Sequence, residues 1–434
     1  MTFRQRFALV AYSAGWWLVA PLVALYLLWR SIAQREYRRH WIERFLGHGR
    51  PPPPGRPLIW VHAVSVGETR AAQPLIEQLA HDFPHAAFLL THMVPAGRAV
   101  GESIVASLPG RAGQRYLPYD LRFAVARFLR EVQPSLGVVM ETEVWPNLLS
   151  VARGAGVPML LANARLSEKS VARGKRVTAL LRAAAAGFDR IAAQSEADRA
   201  RIAQWYDGPI DVAGNLKFDI AVDESQVAAG RALRAARGTR PIWLAASTRD
   251  GEESLLLDAW ARGRAEAQTE ASLLIVPRHP RRFDEVAQLI EARGLTCLRR
   301  SRGPWPADVP SDTVLLGDTM GEMALYYAAA DVALIGGSLR NFGAQNLIEA
   351  CAVGTPVVLG PSTFNFAQAA ADALAAGAAL QVRDADEALA AMAALCGDAG
   401  RLDRMRGAAL GFAAAHRGAT ARVAAIAREL LRRA

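Results

Sequence analysis

A glutamate stands at the start of a predicted helix, directly after an apolar run typical of a β-strand. Residues 58–72 read LIWVHAVSVGETRAA, so the run ends in a turn containing Ser65 and Gly67, and Glu68 follows. Turns from strand to helix are where α/β proteins bind ligands. Two interpretations stay open for Glu68: a first-turn acid that stabilises the helix, or a general base aimed at a ligand.

Three further charged residues in the first half of the chain follow strand-like runs. Glu141 begins the segment ETEVWPN directly after the run at 136–140, and a solvated loop acid is its ordinary explanation. Arg165 lies just beyond a run ending near residue 162, where it suits a phosphate or carboxylate ligand. Lys217 stands between two apolar residues in GNLKFD, which favours a ligand site over a charged surface.

The second half of the chain contains a paired-glycine motif that favours a bound anion. Gly336 and Gly337 follow a strand-like run, and GAQNLIEA follows at 343–350. Glycines let a backbone approach a ligand closely, and a helix beginning near Asn346 would direct free N–H groups at a phosphate. Glu349 would then accept the hydroxyls of a ribose, with helix capping as the alternative role.

Other turns in this half are weaker candidates. Ser247 and Thr248 follow a strand-like run, but helix capping explains most of their segment, ASTRDGEE. Arg278 and His279 lie between two prolines after another run and suit a nucleotide phosphate or base. The turn GDTMGE at 317–322 offers backbone donors, with helix capping as an equal explanation.

Several kinds of chemistry are excluded by missing patterns. The sequence has no GxxxxGK[ST], no GxGxxG and no HExxH, which argues against a P-loop ATPase, an ordinary dinucleotide dehydrogenase and a zinc protease. The three cysteines indicate neither a disulfide framework nor a zinc site. Asp384 and Asp386 form a DxD before an alanine-rich helix, where helix capping explains them better than a metal. We therefore predict no metal.

The candidates are positioned by a repeating alternation of short apolar runs and helix-like stretches, which predicts an α/β fold. A chain of 434 residues is expected to form two domains of roughly 200 residues each. We predict two doubly wound, Rossmann-like domains with a cleft between the carboxyl ends of their sheets. The predicted boundaries are an anchor at 1–31, a first domain at 32–222, a linker at 223–240 and a second domain at 241–434.

The N-terminal segment predicts attachment to a membrane. Residues 7–29 carry no charge, and such a run is long enough to cross about 30 Å of hydrocarbon. The arginines that follow predict an uncleaved anchor whose domain stays on the cytoplasmic side against anionic lipids; they are Arg30, Arg35, Arg38, Arg39 and Arg44. A buried core helix is the alternative, and Pro21 leaves full spanning or shallow insertion open. The net charge of +10 also calls for an anionic partner.

Taken together, the ordered motifs resemble the 3-deoxy-D-manno-octulosonic acid (Kdo) transferase family. The motifs cover nearly the whole chain: HAVSVGET at 62–69, YLPYD at 116–120, METEVWPN at 140–147, ANARLS at 162–167, LKFD at 216–219, PRHP at 277–280, GDTMGE at 317–322 and GPSTFNF at 360–366. The resemblance implies a GT-B glycosyltransferase at the cytoplasmic face of a Gram-negative inner membrane. It would move Kdo from CMP-Kdo to the lipid A precursor lipid IVA in lipopolysaccharide synthesis, without a further cofactor.

The resemblance also implies residue roles. Glu68 matches the family's general base, and Glu141 and Lys217 match residues that stabilise the transition state. The segments matching CMP-binding residues are Arg278 with His279, the turn Met320, Gly321 and Glu322, and Asn346, Leu347, Ile348 and Glu349. Arg249, His92, Phe342 and Gln345 depart from the family pattern, which bears on details of donor contact.

Three alternatives have distinct expectations. A membrane-associated GT-B transferase using a UDP-sugar would be stabilised by a different nucleotide. A sugar-nucleotide epimerase of the same fold would not need the N-terminal anchor. A non-enzymatic, basic, membrane-tethered binding protein would release no CMP from CMP-Kdo. Nucleic acid is not an expected partner, because no aromatic-basic motif accompanies the positive charge.

Overall fold

The computed structural model describes residues 1–267, 271–310 and 312–433. They form two compact units, one made of Met1–Ile220 with the residues from Arg417 onward, the other of Ala221–His416. Each unit has a seven-stranded sheet in which neighbouring strands run parallel, wrapped by helices. The predicted fold class of two doubly wound, Rossmann-like domains is confirmed.

Helices alternate with strands along most of the chain. The helices are α1 Phe3–Ala33, α2 Val66–Asp82, α3 Pro95–Ser107, α4 Arg122–Val132, α5 Pro146–Gly154, α6 Glu168–Gly174, α7 Thr178–Ala185, α8 Glu196–Ile202, α9 Glu224–Ala236, α10 Glu252–Ala267, α11 Phe283–Glu291, α12 Met323–Ala329, α13 Ile348–Val353, α14 Ala367–Ala375, α15 Ala385–Gly397, α16 Ala399–Ala415 and α17 Ala419–Arg433. The strands are β1 Leu58–His62, β2 Ala87–His92, β3 Ala112–Tyr116, β4 Leu136–Met140, β5 Met159–Ala164, β6 Arg190–Ala193, β7 Ile210–Val212, β8 Ile242–Thr248, β9 Ser272–Pro277, β10 Thr296–Arg299, β11 Thr313–Leu316, β12 Val332–Ile335, β13 Val357–Leu359 and β14 Ala379–Gln381.

The first sheet has the strand order β3-β2-β1-β4-β5-β6-β7. Its central strands β1 and β4 are buried along their whole length, as expected of strands covered by helices on both faces. The chain order reverses between β1 and β4, so the loops after these two strands diverge at a topological switch point. Such points are where open α/β sheets bind ligands.

The second sheet has the order β10-β11-β9-β8-β12-β13-β14, with its switch point between β8 and β12. Each of the ten apolar runs from which a strand is predicted corresponds to a strand of the structure; the runs are 58–61, 88–91, 136–140, 158–162, 190–193, 242–246, 273–276, 314–316, 332–335 and 356–359. The structure adds four short strands, β3, β7, β10 and β14, whose polar or alternating residues hid them from a search for apolar runs.

The observed units differ from the predicted boundaries at two places. Helix α17 belongs to the first unit, where it packs against α2 and where the Asp219 carboxylate accepts the backbone N–H groups of Gly418 at 2.7 Å and Thr420 at 2.6 Å. The segment predicted as a linker is mostly α9, which lies in the second unit and packs on α12. A Cβ at Gly230 of α9 would lie 2.3 Å from the Leu325 carbonyl oxygen, which explains the glycine there.

The predicted N-terminal anchor is a single helix, α1, with 31 residues and a length of roughly 46 Å. Among the described residues it is the one helix long and apolar enough to cross a membrane by length and composition, and most of it is exposed. One side of α1 rests on the first unit, where Ser13 Oγ donates to Asn147 Oδ1 at 2.5 Å and the Trp16 ring lies 6.1 Å from that of Tyr119. Its remaining apolar surface is available to lipid.

One of the arginines predicted to lie against anionic lipids, Arg44, lies inside the protein instead. Its side chain is fully buried: the guanidinium lies 3.6 Å from the centre of the Tyr116 ring and donates to the Met93 carbonyl oxygen at 2.9 Å. A cation held by an aromatic face inside the protein cannot contact lipid headgroups. The arginines available to a headgroup are therefore those nearer the end of α1.

Candidate functional site

In the first unit, Glu68 lies in the first turn of α2, directly after β1. Ser65 is the N-cap, and its Oγ accepts the Glu68 N–H at 3.3 Å. The Glu68 carboxylate turns back on the same turn: Oε2 accepts the Val64 N–H at 2.7 Å and Oε1 accepts the Ser65 hydroxyl at 3.0 Å. The capping interpretation is thus correct as local structure, and Gly67, which is exposed, completes the turn.

Glu141 lies at the neighbouring strand end, directly after β4, and it is not a solvated loop acid. Its side chain is 5% exposed and pairs with two cations, Lys217 Nζ at 2.8 Å from Oε1 and Arg165 Nε at 3.0 Å from Oε2. Its φ of +57° is uncommon for a residue with a side chain. The fold therefore holds this carboxylate in a strained conformation between two cations.

Two asparagines bring Lys217 to Glu141. Asn163, near the end of β5, uses Oδ1 to accept the Leu216 N–H at 3.0 Å, and Asn215 Oδ1 accepts the Lys217 N–H at 3.0 Å. These bonds fix the turn Leu216–Asp219, which carries Lys217. The Glu141, Arg165 and Lys217 side chains predicted from sequence are thus brought into one cluster.

The two carboxylates have opposite pKa shifts. Burial, followed by the charges of Glu141 and Glu143, raises the pKa of Glu68 from 4.5 to about 7, although the Val64 N–H opposes the shift. Burial acts in the same direction on Glu141, but Lys217 and Arg165 outweigh it and hold the pKa of that carboxyl below its usual range. Near neutral pH, Glu68 is ready to exchange a proton while Glu141 stays ionised.

Two histidines near this turn are structural. Burial, with the charge of His92, lowers the pKa of His62 to about 3; burial lowers that of His92 to about 4. Nδ1 of His62 bonds to Thr91, and Nδ1 of His92 lies 3.1 Å from the Ala63 carbonyl oxygen. Both rings are therefore neutral at pH 7 and support the loop after β1.

In the second unit, the paired glycines meet the end of β8. Ser247 has a φ of +58°, and a Cβ on Gly336 would lie 2.4 Å from the Ser247 carbonyl oxygen. Gly337 has a φ of +74°, which favours glycine. The structure therefore brings Ser247, Thr248, Gly336 and Gly337 together at the switch point between β8 and β12.

Glu252 is an important residue that the sequence interpretation assigned only to helix capping. Its buried carboxylate accepts N–H groups from Gly337 at 2.6 Å, Leu339 at 3.0 Å and Arg249 at 2.8 Å. Glu252 therefore holds the loop after β12 against the start of α10. The sequence shows an acid in the first turn after a strand, but it does not show that this acid binds the distant loop after β12.

We expect Gly336→Ala to lower the free energy of unfolding by about 1–3 kcal/mol, because the new methyl group would overlap buried backbone. The matched control is Gly263→Ala in α10, where an added Cβ meets nothing within 4 Å and where alanine favours the helix by about 0.5–1 kcal/mol. Urea denaturation of both variants measures the difference. Equal stabilities would show that the loop accommodates a side chain at Gly336.

Arg278 and His279 follow β9 beside this loop. Arg278 Nε donates to Gln345 Oε1 at 3.3 Å, and the Arg249 guanidinium lies 4.7 Å from the centre of the Phe342 ring. Burial, together with Arg249 and Arg278, lowers the pKa of His279. Of the family departures, Arg249, Phe342 and Gln345 thus lie in this group, and the region is strongly cationic.

The segment containing Asn346 and Glu349 is arranged differently from the prediction. Helix α13 begins at Ile348, two residues later than expected, and the Leu347 and Ile348 side chains are buried. Asn346 Oδ1 accepts the Ile348 N–H at 3.0 Å, and Asn346 Nδ2 donates to Glu349 Oε1 at 3.0 Å. Any ligand contact by Leu347 or Ile348 must therefore use the backbone.

The turn Met320, Gly321 and Glu322 follows β11. Met320 is 59% exposed, and Gly321 has a φ of +84°. Arg300 donates to Glu322 Oε1 at 2.8 Å, and this bond, with that from Thr319, holds the pKa of the Glu322 carboxyl below its usual range against burial. Met320 thus presents apolar surface to solvent, whereas Glu322 is committed to an internal network.

The DxD acids have structural partners. Asp384 is the N-cap of α15 and accepts the Glu387 N–H at 2.9 Å, as predicted, while Asp386 pairs with Arg262 at 2.8 Å. Within residues 1–267, 271–310 and 312–433, no group of three or more histidine, cysteine, aspartate or glutamate side chains is arranged to hold a metal ion.

A family model and the curated relatives of this chain agree on one family. Residues 39–220 match the model of a family described as 3-deoxy-D-manno-octulosonic-acid transferase (kdotransferase). A 3-deoxy-D-manno-octulosonic acid transferase of Bordetella pertussis is 47% identical over 412 residues, covering 93% of this chain and 95% of the relative. One of Haemophilus influenzae is 37% identical over 352 residues, covering 80% of each.

A solved structure supports the fold. The crystal structure of a glycosyltransferase from Rickettsia africae matches with a TM-score of 0.57, covering 87% of this chain and 99% of that one. At 12% sequence identity this likeness bears on the fold alone. The two doubly wound units are accordingly those of the GT-B class.

Proposed function

Since the chain belongs to the 3-deoxy-D-manno-octulosonic acid (Kdo) transferase family, we propose that it moves Kdo from CMP-Kdo to the lipid A precursor lipid IVA. The observation that carries the residue-level proposal is the carboxylate pair at the first switch point. Glu68, with a pKa near 7, suits a general base, and Glu141 beside it is kept ionised by two cations.

The chemistry requires a base and a charged leaving-group site. Kdo is joined to CMP through one phosphate at a tertiary anomeric carbon, so the transition state is expected to have oxocarbenium character. The acceptor hydroxyl oxygen forms the new bond to that carbon, the bond from the carbon to the phosphate oxygen breaks, and the hydroxyl proton passes to Glu68. Attack from the face opposite CMP inverts the anomeric configuration.

Glu141 and Lys217 are assigned to the transition state rather than to proton transfer. An ionised Glu141 stabilises the positive charge that develops on the sugar ring. Lys217 stabilises the negative charge on the carboxylate of Kdo or on the departing phosphate. Arg165 shares the Glu141 carboxylate with Lys217 and keeps that group charged. A preorganised cluster of this kind acts without reorganisation during the reaction.

The second unit is assigned to CMP-Kdo. Arg278 and His279 are proposed to meet the phosphate, and Ser247 to offer a hydroxyl. Gly336 and Gly337 are assigned to the close packing of the loop after β12 on the end of β8, because the Gly337 N–H donates to Glu252. The Thr248 hydroxyl is buried and donates to Glu253 Oε1 at 2.7 Å, so Thr248 is assigned to the support of this loop. The ribose and base are assigned to Asn346 to Glu349 and to the turn Met320 to Glu322. Arginine and lysine already supply positive charge, so we propose that no metal or other cofactor is needed.

We assign to the anchor helix the role of holding the protein at the membrane that contains the lipid acceptor. The exposed apolar surface of α1 and the arginines after it suit insertion in a bilayer with anionic headgroups. We assign the protein to the cytoplasmic face of the bacterial inner membrane, because positively charged segments stay on that side.

The proposal predicts that CMP is released from CMP-Kdo only when lipid IVA is present, at a rate unchanged by EDTA. Loss of activity in EDTA that magnesium restores would contradict metal independence. No CMP release with any acceptor would favour a non-enzymatic binding protein. Transfer from a UDP-sugar instead would favour another GT-B transferase.

A further inference from the structure

The first unit contains an apolar cavity that no step of the proposed reaction uses. Its volume is about 390 Å³, within the range of sites that bind small organic ligands. It lies beside the ends of β5 and β6 and under α6, α7 and α8. Most of its lining is aliphatic or aromatic, including Leu166, Leu181, Phe188, Ile202 and Trp205.

Polar side chains line one part of this cavity, and they belong to the proposed catalytic cluster. Glu141 and Arg165 are both lining residues, and Arg173 adds a second arginine. The lining residues Ser170, Arg173 and Val177 are exposed, so the cavity opens to solvent along α6 and the turn after it. A ligand here would combine a long apolar part with an anionic or polar group near Glu141 and Arg165.

The cavity also lies next to the anchor helix. Leu181 and Ala185, both lining residues, are on α7, and α7 packs against α1. Helix α7 therefore contacts the anchor helix and also lines the cavity. The packing of α7 against the anchor helix, together with the two arginines of the lining, favours a lipid over a water-soluble apolar ligand.

We propose that this cavity binds one acyl chain of the acceptor and so positions the acceptor's hydroxyl near the carboxylate pair. The proposal rests on the proposed function, since it takes the acceptor to be an acylated, phosphorylated disaccharide. Each methylene removed from water favours binding by roughly fourfold, so a chain that buries three methylenes gains about sixty-fold. The arginines would meet polar groups at the head of the chain.

The first test needs no variant. We expect kcat/KM for lipid IVA to exceed that for the same disaccharide bisphosphate without its acyl chains by at least about sixty-fold, in detergent that keeps both acceptors dispersed. Equal values for the two acceptors would overturn the acyl site while leaving Kdo transfer intact. Absence of transfer to both acceptors would instead contradict the proposed function.

The second test fills the cavity. Leu181→Trp is expected to raise KM for lipid IVA by about tenfold or more, equivalent to two or more buried methylenes, with KM for CMP-Kdo unchanged. The matched control is Ala172→Trp, an exposed position on α6 outside the lining. Melting curves establish that both variants fold. If Leu181→Trp folds and its KM for lipid IVA equals that of Ala172→Trp, the cavity does not bind the acceptor.

Discussion

Glu68→Gln is expected to lower kcat for Kdo transfer by about 10²–10⁴-fold, the contribution typical of a general base. Glutamine keeps the size of the side chain and one acceptor oxygen for the Val64 and Ser65 groups, but it cannot take a proton. Steady-state rates at saturating CMP-Kdo and lipid IVA measure the effect. The matched control is Glu224→Gln, an exposed first-turn acid of α9, which should retain wild-type activity.

The pKa of Glu68 also predicts how the activity and the stability of the wild type depend on pH. Because the pKa of Glu68 is raised to about 7, kcat/KM should rise with pH up to about 7 and then level off as the base becomes ionised. The stability effect has the opposite direction. The protonated form is favoured in the folded state, so this group's contribution is full below pH 4.5 and is lost as pH rises through 7.

The free energy of unfolding of the wild type should therefore fall relative to that of Glu68→Gln between pH 4.5 and 7. Denaturant titrations at several pH values measure this difference. Near wild-type turnover by a folded Glu68→Gln protein would remove Glu68 from the mechanism. A pH-independent stability difference would show that the carboxyl is not perturbed as described.

Lys217→Met is expected to affect both activity and stability. Glu141 is 5% exposed and Lys217 is 13% exposed, and removing one partner of a buried ion pair typically costs about 3–5 kcal/mol. We expect the lower end of that range, because Arg165 remains paired with Glu141. We also expect kcat to fall by about 10²–10³-fold, the loss typical of removing one preorganised transition-state group.

A double variant separates the two effects of Lys217. Adding Glu141→Gln to Lys217→Met removes the buried carboxylate that has lost one of its two cations. The Arg165 side chain is 37% exposed and keeps contact with water, so most of the lost free energy of unfolding should return while the activity stays low. Lys175→Met, at an exposed lysine, serves as the control and should be neutral. Recovery of activity in the double variant would show that the pair is only structural.

Much of the fold was predictable because the central strands are continuous apolar runs. The runs at β1, β4, β8 and β12 mark both switch points, and the turns after β1, β4 and β12 contain Glu68, Glu141 and the paired glycines Gly336 and Gly337. The short outer strands were missed because a strand such as β3, AGQRY, buries too little to need an apolar run. Local pattern thus identifies the strands that are covered on both faces.

Contacts between distant segments were not predictable. The Glu141 and Lys217 ion pair depends on the Asn163 side chain, which accepts a backbone N–H 53 positions further along the chain. The sequence predicts that Arg44 faces the membrane, yet its side chain is held inside the protein by Tyr116 and Met93. Helix α17 packs against α2 in the first unit, and nothing in its own sequence indicates this contact. The type of a polar or amphipathic residue indicates which interactions it can make, but it does not indicate which distant residue it contacts.

The most direct test of Kdo transfer is the mass of the product formed from CMP-Kdo and lipid IVA by the protein. We predict lipid species heavier by whole Kdo residues, with one CMP released for each residue added, and no such species from Glu68→Gln on the same time scale. Release of CMP without a heavier lipid, or unchanged lipid IVA under all conditions, would contradict it.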